Sequence, residues 1–143
     1  MEKTFYTVIG VLGSGLAALF GGWDTAIIAL VVAMSVDYIT GLLVAGVFHN
    51  SGKTENGALE SMAGFKGLCR KGAILLVVLV ACQLDLIIGS NFIRDAAVIS
   101  FVANEVISIV ENVGLMGIEV PAPLVNAIEI LRKKAESDKK EGD

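Results

Sequence analysis

The chain has 143 residues, 55% of them hydrophobic, a formal net charge of −4 and a mean hydropathy of +0.74. Ordinary soluble domains are about 45–50% apolar even with glycine counted, and here the excess collects in long runs. That pattern argues against a soluble domain and predicts one all-α integral membrane unit. Basic and acidic residues are segregated along the chain, so the net charge points to no nucleic-acid partner. Cys69 and Cys82 have neither the spacing nor the setting of a disulfide or zinc site, and the single His49 has no ligand partner at helical spacing. No metal, cofactor or catalytic residue is expected.

The first apolar run, 5–22, predicts a helix with Gly10, Ser14 and Ala18 on one ridge. Small residues four apart let helices approach closely in lipid. Lys3 followed by an apolar stretch also fits the outline of a signal peptide. Gly21-Gly22-Trp23-Asp24 predicts a turn, with Asp24 as N-cap of the next helix and Trp23 at a membrane interface.

The second run, 25–48, is 24 residues long and is broken only by Asp37. At 1.5 Å per residue it can cross a hydrocarbon core of about 30 Å, which places Asp37 near mid-depth. An ionisable group there costs at least about 2.5 kcal/mol unless it finds a partner or water. Asp37 shares a ridge with Ala29, Ala33, Gly41 and Ala45, so its carboxyl faces helix contact and not lipid.

Residues 49–72 predict a polar cytoplasmic loop containing Lys53, Lys66, Arg70 and Lys71, with room for a short helix from Leu59. Gly52-Lys53-Thr54 lacks the upstream glycine spacing and the strand of a phosphate loop, so no nucleotide site is expected. The third run, 73–93, carries Ala81, Asp85 and Gly89 on a similar ridge. Counting inward from the loop places Asp37 and Asp85 at nearly equal depth. Two carboxyls close together there would not both ionise readily.

The fourth segment, 96–113, has an apolar face and a polar arc of Asn104, Glu105, Ser108, Glu111 and Asn112. Three arrangements are open: the arc lines water in an oligomer, packs against Asp37 and Asp85, or lies flat at the interface. Gly114 is expected to end that helix. Residues 1–113 thus form a membrane domain of about four crossings, or three plus an interfacial helix. Residues 114–143 form a turn with Pro121 and Pro123, an amphipathic helix whose weak apolar face is Leu124, Ile128, Leu131 and Ala135, and a charged tail.

Four crossings with both termini cytoplasmic place Lys3, the four loop cations and the five cations from Arg132 to Lys140 inside. Of the 11 basic residues only Arg94 is left outside, in accord with the positive-inside rule.

Several motifs occur in one order: Trp23-Asp24, then Asp37-Tyr38-Ile39-Thr40-Gly41, then Gly64 to Lys71 and Asp85. Asn104 to Asn112 and the Gly117-to-Pro121 turn complete the set. Together, over roughly residues 20–125, they resemble the phage holin family, which includes phage lysis and toxin-secretion holins. The resemblance implies a non-enzymatic protein of the bacterial cytoplasmic membrane. It would form homo-oligomers among the membrane lipids and open lesions through which an endolysin or a toxin leaves. The residues themselves also admit a small ion channel or proton-coupled transporter subunit, with Asp37, Asp85 and Glu105 as a relay.

Overall fold

The computed structural model describes residues 1–53, 57 and 60–141. Within them the chain forms five helices and no strand: α1 (Glu2–Leu19), α2 (Thr25–Gly46), α3 (Ser61–Ile88), α4 (Ile93–Leu115) and α5 (Ala122–Glu141). Three of these, α2, α3 and α4, are long and apolar enough to cross a membrane. With Glu2 and Lys3 inside its 18 residues, α1 is not among them.

The helix α4 is the centre of the bundle, packed against α2, α3 and α5. Ile27, Leu30 and Met34 recur at helical spacing on α2 and meet Val78 of α3 and Val98 of α4. Much of the remaining apolar surface faces outward, including Leu76, Val80 and Ile87 on α3 and Phe5, Val8 and Leu12 on α1. Exposed apolar area of that extent marks a surface made for something other than water.

One end of the bundle is tied by Arg94, which is buried to 8% exposure. Its Nε donates to the Phe20 carbonyl at 2.6 Å, Nη2 to Asp24 at 3.0 Å and Nη1 to Asp95 at 3.1 Å. The end of α1, the start of α2 and the start of α4 therefore share one guanidinium. Gly21 makes this approach possible: its φ is +80°, and a Cβ there would lie 3.1 Å from Cys82 Sγ and 3.2 Å from Arg94 Nε. Asp24 also caps α2 as expected, accepting from the Ile27 amide at 3.1 Å. At the other end Asn50 Nδ2 donates to the Leu115 carbonyl at 3.2 Å. With both pairs of ends joined, α2 and α4 run parallel, and α3 runs antiparallel between them. The helix α4 is thus a member of the bundle and does not lie apart from it.

Several boundaries differ from the sequence reading. The helix α3 starts at Ser61, so Lys66, Arg70 and Lys71 lie on it and not in a loop. The helix α4 includes Arg94 and Asp95 and continues past Gly114, and the left-handed residue after it is Gly117, φ +81°. Gly89 is the left-handed C-cap of α3, φ +77°, and packs against nothing. Gly10, Ser14 and Ala18 are exposed along α1, which buries no residue. Ala33, Ala45 and Ala81 are buried in helix contacts as their ridges suggest, and Gly41 faces Asn112. On α5, Ile128 is buried and Leu131 and Ala135 are half-buried, while Leu124 stays exposed.

Arg94→Met leaves the Asp24 carboxylate and the Phe20 carbonyl without their partner. It is expected to lower the unfolding temperature in detergent by several degrees, whereas Arg132→Met, which breaks only an exposed pair with Glu129, shifts it little. A circular-dichroism melt compares the two. The Arg94 hydrogen bond is also the main reason the Asp24 carboxyl sits below its ordinary value of 3.8. A depressed folded-state value stabilises above the unfolded value and is lost as pH falls through the folded one. Wild type should therefore lose more stability than Asp24→Asn on acidification below about pH 4. The effect is small because Asp24 is half exposed.

Candidate functional site

The polar groups of the three apolar helices meet in two places. Near the middle of α2, Asp37 is 6% exposed, and Glu105 and Asn112 of α4 are 7% and 6% exposed. Between the two carboxylates stands Lys71 of α3, its Nζ 2.7 Å from Asp37 Oδ2 and 2.6 Å from Glu105 Oε2. Asn112 Nδ2 donates to Asp37 Oδ1 at 3.0 Å and to Thr40 Oγ1 at 2.9 Å. Thr40 in turn donates to the Asp37 carbonyl at 3.0 Å. Three helices thus converge on one ammonium group. With every group ionised, the Asp37–Lys71–Glu105 trio carries a formal charge of −1.

The geometry follows from helix phase. Glu105 and Asn112 are seven apart, two turns on one face of α4, and that face looks at α2. Asn104 and Glu111 sit on the adjacent edge and are exposed, and Ser108 between them is half-buried. The polar arc of α4 is therefore divided. One edge is satisfied inside the protomer, and the other is left exposed, Asn104 toward the cleft and Glu111 outside it.

Asp85 is not part of this group. Its carboxylate accepts from Ser90 Oγ at 2.6 Å and from the Ile93 and Arg94 amides at 3.0 and 2.9 Å. It thereby caps the start of α4 from the end of α3, where the local N-cap position, Phe92, offers no side-chain bond. The expected facing of Asp37 and Asp85 at equal depth is overturned. Because α3 begins at Ser61, the residue level with Asp37 is Lys71, and Asp85 lies a further ~21 Å along the helix at 1.5 Å per residue. A relay through Asp37, Asp85 and Glu105 has no such contact to run through.

Lys71 and Arg94 escaped the sequence reading as site residues. The signal was present for both. Carboxylates embedded in apolar helices need cations, and these two flank the third and fourth apolar runs.

A cleft of about 700 Å³ opens from the trio toward the start of α3, between α2, α3 and α4. Tyr38, Asn104 and Ser108 line it beside the trio, and Lys66 and Arg70 line it further out. Among the described residues no cluster of His, Cys, Asp and Glu is arranged to hold a metal ion.

The sequence pattern of the bacteriophage holin family matches residues 14–133, and the chain belongs to that family. It is 42% identical to an uncharacterized protein of Listeria monocytogenes, over 94% of this chain and 92% of that one. It is 34% identical to an uncharacterized 14.9 kDa protein of Clostridium perfringens, over 86% and 89%. A protein of Bacillus phage phi105 named "Probable holin" is 31% identical over 87% of this chain and 84% of its own length. No solved structure matches the chain.

Lys71→Met strands two buried carboxylates and is expected to destabilise the bundle by about 3–5 kcal/mol. Adding Asp37→Asn and Glu105→Gln to it should recover more than half of that loss, because the uncompensated charge is gone. Denaturant titration in detergent of the single and triple variants measures both. A triple variant weaker than Lys71→Met would contradict the trio as a coupled unit.

Proposed function

We propose that this chain is a holin in the full sense: it gathers in the cytoplasmic membrane, assembles with itself and opens a lesion for a cytoplasmic protein. The observation that carries the proposal is the divided polar arc of α4. Asn104 and Glu111 remain exposed on a helix apolar enough to span, and against acyl chains an amide and a carboxylate are costly. A second copy, or water shared among copies, removes that cost. Family membership and the phage relative's name support the same reading.

In the proposed sequence of events the dispersed protomer is closed, with Lys71 holding Asp37 and Glu105 together. Copies first meet through the exposed edge of α4 and the small-residue face of α1. The trio, with its surplus negative charge, then gains more from water than from a dry interior. The helix α3 swings away from α2 and α4, and the inner edge of the arc joins the outer edge in lining an aqueous path. No catalytic group takes part, and the passenger, an endolysin or a secreted toxin, is a functional partner. The basic residues of α3 and α5 set the orientation, with the start of α3 and the C-terminal tail on the cytoplasmic side and Arg94 outside; the N-terminus shares the cytoplasmic side only where α1 also crosses.

Expression with a cytoplasmic muralytic enzyme tests the proposal. Sudden lysis only when the enzyme is present is the expected result. Graded ion flux without release of protein would instead indicate a transporter. Asn104→Leu and Glu111→Leu should each change the time of lysis severalfold. Unchanged timing in both would contradict the role given to the exposed edge.

A further inference from the structure

The cleft beside the trio is larger than the closed bundle needs, and its chemistry is graded. Small residues line the space: Gly41 and Ala45 on α2, and Ala63, Gly64 and Gly67 on α3. Among the described residues the only hydrogen bond that spans the gap above the trio is a long one, Tyr38 Oη to the Gly64 carbonyl at 3.5 Å. Without side chains at Gly64 and Gly67, the gap between α2 and α3 is left unfilled here. The inner end is acidic and already neutralised in part by Lys71. Lys53 and the Glu60 carboxylate also line the outer end, which carries Lys66 and Arg70, one helical turn apart on the same face of α3. Both are exposed, and neither makes an ion pair among the described residues. Leu42 supplies apolar wall on the outer side of the trio, and Ile74 and Phe101 supply it about one turn further in, against the core.

We propose that this cleft is a binding site for an anionic phospholipid. Lys66 and Arg70 take the phosphate, and one acyl chain lies along Leu42, Ile74 and Phe101. The inference rests on the membrane reading and on the orientation proposed above. Depth supports the assignment. Lys71 stands ~21 Å along α3 from Asp85 at the Arg94 end, and Lys66 a further ~7.5 Å. In a hydrocarbon core of about 30 Å, Lys66 then reaches the head-group boundary of the cytoplasmic leaflet, and Arg70 can extend to it along its own stem. That leaflet is the anionic one, and basic pockets between spanning helices suit its phosphates. Arginine adds a bidentate fork for the phosphate oxygens. A lipid so placed bridges α2 and α3 where the protein does so only through the long Tyr38–Gly64 contact, and so holds shut the seam that the proposed opening must part.

Native mass spectrometry of the full chain, purified in mild detergent and supplied with phosphatidylglycerol or phosphatidylcholine, tests this. The expected result is retention of one phosphatidylglycerol per protomer and loss of phosphatidylcholine. The double variant Lys66→Gln/Arg70→Gln should weaken retention about 30-fold, and Lys133→Gln/Lys134→Gln in the tail should leave it unchanged. Leu42→Trp, which fills the wall and keeps every charge, should also abolish retention. Each variant is first checked for wild-type helix content and a single elution peak. Equal loss in the tail variant, or retention by Leu42→Trp, would overturn the cleft as the site. Displacement of the lipid by millimolar inorganic phosphate would assign the site to a free anion and overturn the lipid. If no lipid is retained while enzyme-dependent lysis persists, the lipid site falls and the holin proposal stands.

Discussion

One ammonium group shared by two carboxylates sets the form of this bundle. Among the described residues Lys71 is the only place where side chains of α2, α3 and α4 meet in a single ionic contact. In an apolar surrounding such a contact is held less by its own strength than by the cost of breaking it, since a lone buried charge is far worse than a paired one. That asymmetry makes the trio a natural restraint. It is firm while the interior is dry, and it loses its reason once water reaches it.

The rest of the fold arranges the conditions for that restraint. Arg94 and Asp85 fasten the opposite end, joining α1 to α4 and giving α4 a cap it lacks locally. The Ile27, Leu30, Met34, Val78 and Val98 core lies between Arg94 and the trio. Beyond the trio the packing thins into the cleft, where glycines take the place of larger side chains. The bundle is thus tight at one end and open at the other, and any parting of α3 from α2 would begin at the open end. The helix α1, exposed along its length, is held chiefly at its last turn, where Gln83 also donates to the Leu19 carbonyl at 3.2 Å.

Much of this was legible from residue order alone. The apolar runs gave the helices, and Asp24 gave a true cap. Asp37, Glu105 and Asn112 stood out because polar groups inside apolar helices demand partners. The identity of those partners was not legible. A helix boundary misplaced by about three turns moved Lys71 out of α3 and put Asp85 in its place opposite Asp37. Composition caused the error: Gly64, Gly67 and three cations read as loop, yet they sit on α3, where the glycines, Lys66 and Arg70 line the cleft and Lys71 joins the trio. Gly89 was misjudged for a related reason, since its spacing fits a packing ridge while its left-handed backbone serves to end a helix. The division of the α4 arc was also hidden. Helical phase places all five polar residues on one side, and only the position of α2 decides which of them are covered.

The central claim is that α3 is clamped to α2 through Lys71 in the dispersed protein and released from it in the lesion. Spin labels at Ile39 on α2 and Leu68 on α3, both exposed, report that separation by double electron–electron resonance. The account predicts one short, narrow distance in the dispersed protomer and a longer, broader one after assembly triggers permeability. A distance that stays the same through the onset of permeability would contradict it.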